Sequence, residues 1–343
     1  HKTSGGKLHM NDTILVTGGT GFIGSHLVEA LVAKGNRVRC LVVETSDTVF
    51  LKNLGVELVY GDLLNKESLL KAVQGIEIVY HLAAKVRPHK MIERVEEFSD
   101  IYQKVNITGT INLSEACQRY GIKKFIHFSS IAAAGPGINV TERSLCRPVT
   151  NYGKSKLKTE KYLLELFASH KFPAIIIRPG LVYGPRSISI LILSRFVKKH
   201  ILPIIGNSPT FMPMCYIDDL IGATLSIADK GKAGEVYFVV EKSYSIIEIG
   251  QEVARVLNKK LYNLHLSTNM LYVLASIKEM LEKIFRLKFS PFNIDMSKEV
   301  ILSASTCWTC SNNKIKNDIG FVPSVSLKSG IEQTIGWRKK KDI

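Results

Sequence analysis

The sequence predicts an α/β fold: a doubly wound parallel sheet covered by helices on both faces, followed by a smaller, interleaved C-terminal lobe. Three observations carry this. From Thr13 to about Val182, short apolar runs alternate with amphipathic helical stretches, the rhythm that builds a parallel sheet between two helical layers. The apolar runs are rich in Ile and Val and lack polar alternation, as expected of strands buried on both faces. A glycine-rich turn, TGGTGFIG at 17 to 24, stands between the first run and the first helical stretch.

Taken in order, HKTSGGKLH (1–9) reads as an expression-vector remnant ahead of a native start at Met10. TILVTGG is the first strand and HLVEALVAKG the first helix. RVRCLVV, VELVYGD, IEIVYHLAA, KKFIHFSS and AIIIRPG continue the sheet, with helical segments between them. Past Tyr183 the rhythm loosens: Pro and Gly punctuate GPR, LPIIGNSP and FMPM, and short elements follow. One later segment stands out, MLYVLASIKEMLEKIFRLKF at 270 to 289. Met270, Val273, Leu274, Ile277, Met280, Leu281, Ile284 and Phe285 form one apolar stripe, with Lys278, Glu279, Glu282, Lys283 and Arg286 opposite. Such a stripe packs on the helix's own domain, closes as a lid over an apolar substrate, or lies on a membrane surface.

At 343 residues the chain accommodates one large α/β domain or two lobes sharing a cleft. No apolar run reaches about 18 residues, which argues against a membrane span. The first apolar stretch runs into the glycine turn and not into a signal-peptide cleavage site. Six scattered cysteines point to a reducing cytoplasm. Cys307-Trp-Thr-Cys310 has redox or zinc spacing, but no second such pair or His pair accompanies it, so no metal is expected. The net charge of +16 is dispersed, with a short RKKK cluster at 338 to 341. No nucleic-acid-binding motif accompanies it, and nucleic acid is not an expected partner.

Gly18, Gly21 and Gly24 form GxxGxxG, a spacing variant of the dinucleotide fingerprint. Glycines let the backbone turn sharply and approach a pyrophosphate seated at the positive N-terminus of the following helix. The strand before, the helix after and the second strand RVRCLVV supply the context this motif requires. Residues 10–182 are therefore expected to form a dinucleotide-binding domain, and 183–343 mostly a substrate-binding lobe with some segments returning to the first domain.

Further landmarks follow in order: YGDL with Asp62, HLAA at 81 to 84, VNITGT with Asn106, FSS at 128 to 130, YGKSK, RPGLVYGP at 178 to 185 and YIDDL at 216 to 220. With them the chain, from Asn11 to Trp337, resembles the extended short-chain dehydrogenase/reductase family, that is, the NAD-dependent epimerase/dehydratase superfamily, whose sheet is of the Rossmann type. The resemblance implies that Asp62 and Leu63 meet the adenine, that His81, Leu82, Ala83 and Ala84 line the cofactor cleft, and that Asn106 supports the active site from a helix. It also counts Phe22, Ile23, Pro179 and Val182 among the cofactor contacts. The end of the second strand holds Val42 and Val43, followed by Glu44, whose charge would repel a 2′-phosphate. NAD is therefore expected over NADP.

TNYGKSK places Tyr152 and Lys156 at i and i+4, on one helix face. Alone, such a pair is common. By resemblance Tyr152 moves the proton, Ser130 fixes the reacting oxygen with Ser129 as the near alternative, and Lys156 holds the ribose hydroxyls. Lys156 and an oxidised nicotinamide would together lower the phenol's pKa.

The nucleotide-sugar subgroups of this family carry Asn where RPGLVYGP has Leu181, and Arg where FMPMCYIDDL has Met212. The 4,6-dehydratases need Asp-Glu after the hydroxyl residue, where this chain has Ile131-Ala132. Leu181, Met212, Met214 and the 270–289 stripe suggest an apolar pocket, with plain core packing as the competing role for the two methionines. LVVETSD, VYGDLL and IGFVP bring the resemblance closest to the dihydroflavonol 4-reductase and 3β-hydroxysteroid dehydrogenase branch. The expected activity is NAD(P)-dependent interconversion of a secondary alcohol and a ketone or aldehyde on a hydrophobic or aromatic small molecule. The alternatives are a nucleotide-sugar epimerase/dehydratase and a non-catalytic NAD(P)-sensing protein. A cytoplasmic homodimer built on helices around 94–120 and 152–170 is expected, with peripheral membrane contact as a further option.

Overall fold

The computed structural model describes residues 12–86, 100–206, 210–285 and 297–339. The proposed tag remnant, Lys340 and Lys341 of the basic cluster, Arg286 of the striped segment and residues 94–99 of the expected dimer helices lie outside that set. The strands are β1 (Thr13–Thr17), β2 (Arg37–Val42), β3 (Glu57–Tyr60), β4 (Ile78–His81), β5 (Lys124–Phe128), β6 (Gly137–Val140), β7 (Ala174–Pro179), β8 (Leu181–Tyr183), β9 (Ile201–Ile205), β10 (Phe211–Tyr216), β11 (Val236–Val239), β12 (Lys242–Ser245), β13 (Tyr262–Leu266) and β14 (Trp308–Cys310).

Seven of them form one parallel sheet in the order β11-β7-β5-β4-β1-β2-β3. The order reverses between β1 and β4, and in open α/β sheets ligands bind outside the carboxyl ends of the strands at such a switch point. Register aligns those ends: Thr17 of β1 lies beside His81 of β4, which lies beside His127 of β5.

The continuous apolar runs have a direct structural cause. Ile14 and Val16 of β1 enter one core layer while Leu15 enters the other, and on β7 Ile175 and Ile177 oppose Ala174 and Ile176 in the same way. Each strand therefore feeds both helical layers, since successive side chains point to opposite faces.

The later chain forms a three-stranded sheet, β12-β10-β8, and two pairs, β13-β9 and β14-β6. β11, although late in sequence, returns to the large sheet as the parallel neighbour of β7. The helix Thr268–Phe285 packs through Leu271, Tyr272 and Ala275 against Ile301, Ile205 and Leu266. Its predicted stripe is not the packing face. Cys307 and Cys310 are free thiols. Among the described residues no cluster of His, Cys, Asp and Glu could hold a metal ion, and no helix is long and apolar enough to cross a membrane.

Candidate active site

The glycine turn is closed by sterics. Gly18 has φ of +77°, and a Cβ there would lie 2.7 Å from the Ala83 backbone nitrogen. A Cβ on Gly24 would lie 2.1 Å from the Gly18 carbonyl oxygen. Gly21 differs, since its Cβ would meet only Gly18 O at 3.2 Å. A Cβ there would be tight but less obstructed than at Gly18 or Gly24, and its absence suits the close approach of a ligand to the backbone. Gly21 also caps the helix Phe22–Ala33 without any side-chain hydrogen bond. The first-turn N–H groups, including those of Phe22 and Ile23, have no intrahelical acceptor and suit an anion.

A directed chain of hydrogen bonds ties this turn to the next helix. Ala83 N–H donates to Thr17 Oγ1 (3.3 Å), and Thr17 Oγ1 meets His81 Nδ1 at 2.7 Å. On the other side His81 Nε2 meets Thr110 Oγ1 at 2.9 Å, and Thr110 Oγ1 donates to Asn106 O at 2.6 Å. Because Thr110 gives its proton to Asn106 O, it must accept from His81 Nε2–H, which leaves Nδ1 to accept from Thr17. His81 is thus neutral and fixed in one tautomer. Burial, then the Lys156 charge, lowers its pKa to about 3.

Asn106 lies on a π-helical turn, Tyr102–Thr108, that continues into the helix Gly109–Tyr120. Its carboxamide accepts from Lys85 N (2.8 Å) and donates to Lys85 O and Ser155 Oγ (both 3.0 Å). Ser155 Oγ donates to Tyr152 O at 2.7 Å. One side chain therefore joins the segment after β4 to the first turn of the helix Asn151–His170. At the far end of the cleft, Asp62 is exposed and its Oδ1 accepts from Leu64 N at 2.8 Å. Leu63 is buried, and a Cβ on Gly109 would touch it at 2.8 Å.

Tyr152 is placed by its neighbours in TNYGKSK. Thr150 caps the helix by accepting from Gly153 N at 3.0 Å. A Cβ on Gly153 would lie 2.2 Å from Ala132 O, so this first turn presses on the short helix Ile131–Ala134 that Ser130 caps. Ser130 lies near enough to the Tyr152 phenol to favour its ionised form. Lys156 Nζ lies 6.0 Å from the Tyr152 ring centroid and donates to Phe128 O at 2.7 Å, at the carboxyl end of β5. Ser129 faces elsewhere, donating to the Glu160 carboxylate. Ser130, Tyr152 and Lys156 are brought together, and Ser129 is not part of that group.

Burial pushes the Tyr152 phenol above its usual range, with Ser130 opposing. Burial lowers the Lys156 pKa to about 8, with Glu160 opposing. The ammonium is itself desolvated and committed to Phe128 O, so it does not outweigh burial at the phenol. A lowered phenol pKa needs an additional positive charge.

Of the other predicted residues, Glu44 is exposed just beyond β2, Leu82, Ala83 and Ala84 follow β4 at the glycine turn, Pro179 ends β7, and Val182 lies on β8. Leu181 and Met212 line an apolar cavity of about 260 Å³ with Ile190, Phe196, Phe211 and Ile246. Met214 does not line it, because it is 0 % exposed in the main core. Two buried groups escaped the sequence reading, Glu160 and Arg178. Arg178 bonds Glu160 twice, Nε to Oε1 at 2.9 Å and Nη2 to Oε2 at 2.5 Å. Glu160 stands four residues after Lys156, and that spacing was the available signal.

A nicotinamide dinucleotide fits these residues: a glycine cradle at a bare helix N-terminus, an exposed acid beyond β2 and a hydroxyl, phenol and ammonium at the strand ends. The comparisons agree. Sterol demethylase protein B of Methylococcus capsulatus is 29% identical over 341 residues, 96% of this chain and 99% of that one. UDP-glucose 4-epimerase of Vibrio cholerae is 31% identical over 268 residues, 76% of this chain and 80% of that one. The crystal structure of UDP-glucuronic acid 4-epimerase from Bacillus cereus in complex with NAD superposes with a TM-score of 0.74 at 27% identity, over 96% of this chain and 99% of that one. With residues 14–240 matching the model of the NAD dependent epimerase/dehydratase family, the chain belongs to that family and is an NAD-dependent enzyme of the extended short-chain dehydrogenase/reductase type.

Proposed function

We propose that this protein moves a hydride between NAD and a hydroxyl-bearing carbon of its substrate, using Tyr152, Ser130 and Lys156. The observation that carries this reading is their juxtaposition: a buried phenol next to Ser130, with the Lys156 ammonium 6.0 Å from its ring centroid, at the carboxyl edge of the sheet. NAD, when bound, supplies the hydride acceptor. Ser130 holds the substrate oxygen by a hydrogen bond, Tyr152 in its phenolate form takes the hydroxyl proton and becomes the phenol, and Lys156 keeps positive charge beside the phenolate before that transfer.

Within that chemistry the comparisons support the epimerase/dehydratase side over a stand-alone dehydrogenase. The family model and the UDP-glucose and UDP-glucuronic acid 4-epimerases all point to nucleotide sugars. Ile131, which lies in an apolar cluster, and Ala132 follow Ser130 and supply no acid or base for dehydration, so epimerisation is the favoured member of that pair. A second reading has one specific observation behind it. The cavity beside Leu181 and Met212 is mostly apolar, and its polar lining residues, Ser189 and Thr210, carry no charge, so a diphosphate there would find no cationic partner. This favours an alcohol–ketone interconversion on a hydrophobic molecule, for which the sterol demethylase relative is a precedent.

One panel tests both. The protein with NAD is assayed against UDP-sugars, dTDP-sugars and sterol or aromatic alcohols. Epimer formation without NADH accumulation supports the first reading, and stoichiometric NADH with an apolar alcohol supports the second. Tyr152→Phe should lower turnover at least ~100-fold, within the range for lost acid–base catalysis. Unchanged turnover in that variant would refute the proposal.

A further inference from the structure

The helix Thr268–Phe285 turns its apolar stripe outward. Met270, Val273, Leu274, Ile277, Met280 and Ile284 are each 47 to 64 % exposed, whereas Leu271 and Ala275 are 5 % and 3 %. At about 100° per residue the exposed stripe spans about 120° of the helix, and its centre lies about 140° from the packing face. Contiguous exposed aliphatic surface of this kind marks an interaction site. With about 1.5 Å of rise per residue, the stripe from Met270 to Ile284 runs roughly 21 Å along the helix.

We propose that this face docks onto the surface of an anionic lipid bilayer. Charge complementarity selects that occupant. The chain carries +16, and residues 259–285 hold four lysines against two glutamates. Lys259 and Lys260 are exposed at the entrance to β13, which leads directly into this helix, and Glu279 is paired with Lys298 at 3.2 Å. A stripe without charges beside a basic flank is the pattern of a helix lying in the membrane interface, and basic residues near the surface add to the attraction of anionic lipid. The helix is not apolar enough to span, so it lies on the surface. The apolar cavity lies on the packed side of this helix, away from the docking face. Ile301 of the helix Lys298–Ser305 packs on Leu271 and Ala275, while Ala304 of the same helix lines the cavity.

The test uses the full chain with NAD in flotation against phosphatidylcholine vesicles and against vesicles of phosphatidylcholine with about 30% phosphatidylserine. Flotation with the anionic vesicles, at least tenfold weaker without phosphatidylserine and reduced by high salt, is expected. Val273→Asp with Ile277→Asp should lower flotation at least tenfold while the NAD-induced rise in melting temperature is retained. Absence of flotation, equal flotation on both vesicle types, or full flotation of the double variant overturns the proposal. A dimer in sedimentation that the double variant dissolves also overturns it, assigning the face to a second copy. The readout does not depend on turnover, so it fails or succeeds independently of the catalytic reading.

Discussion

Lys156 is 3 % exposed, and its pKa falls from 10.5 to about 8 on folding. The folded protein thus disfavours the charged side chain by about 3 kcal/mol at neutral pH. Lys156→Met removes that burden but leaves Phe128 O without its donor, a loss of about 1–3 kcal/mol. At pH 7 the cofactor-free variant should therefore match the wild type or exceed it by up to about 2 kcal/mol. The pH dependence is the sharper readout. Between pH 8 and 10.5 the unfolded lysine keeps its proton while the folded one has released it. Wild-type stability should then gain on the variant as pH rises, by up to about 1.4 kcal/mol per pH unit. Urea unfolding of both proteins at pH 7, 8, 9 and 10 measures this. Parallel stabilities across that window, or a gap that moves in the variant's favour, would refute the argument that the site holds its lysine at a stability cost. The same variant should bind NAD at least ~10-fold more weakly, since ligands stabilise only what they bind.

The glycine turn makes a paired prediction. Gly18→Ala should destabilise by about 3 kcal/mol or more through its positive φ and its contact with Ala83, whereas Gly21→Ala should lose less than about 1 kcal/mol yet weaken NAD binding at least ~10-fold, with urea unfolding and calorimetric titration as the assays. Acid should destabilise the fold before the carboxylates titrate. His81 and His127 are both held neutral by burial, and unfolding lets each take up a proton below pH 6.5. Stability should fall between pH 6 and 4 by up to about 2.7 kcal/mol per unit for the two, and His127→Met should halve that slope.

Much of this was legible in the residues because the signals were local. Buried parallel strands must be apolar on both faces, so Ile/Val runs named the sheet, and the glycine spacing named the turn at its switch point. Tyr152, Lys156 and Ser130 were found by spacing and resemblance. What resisted reading was tertiary. Ser129 and Ser130 are adjacent in sequence, and only the Glu160 carboxylate on a distant turn decides that Ser129 faces away. Met212 and Met214 share a strand face, but Met212 opens on the cavity while Met214 lies two residues deeper under the core. The 270–289 stripe showed an amphipathic helix without showing which face the fold would cover. The phenol's electrostatics depended on how deeply its hydroxyl is enclosed, and no pattern encodes that.

The return of β11 to the side of β7 bears on how this protein can be cut. Every residue of β7 is buried, and its outer hydrogen-bonding edge is covered by a strand that the chain supplies more than fifty residues later. A fragment ending near Val182 would expose that bare edge, a template for pairing between molecules. The β7 edge of the large sheet is therefore covered only after translation has passed Val239.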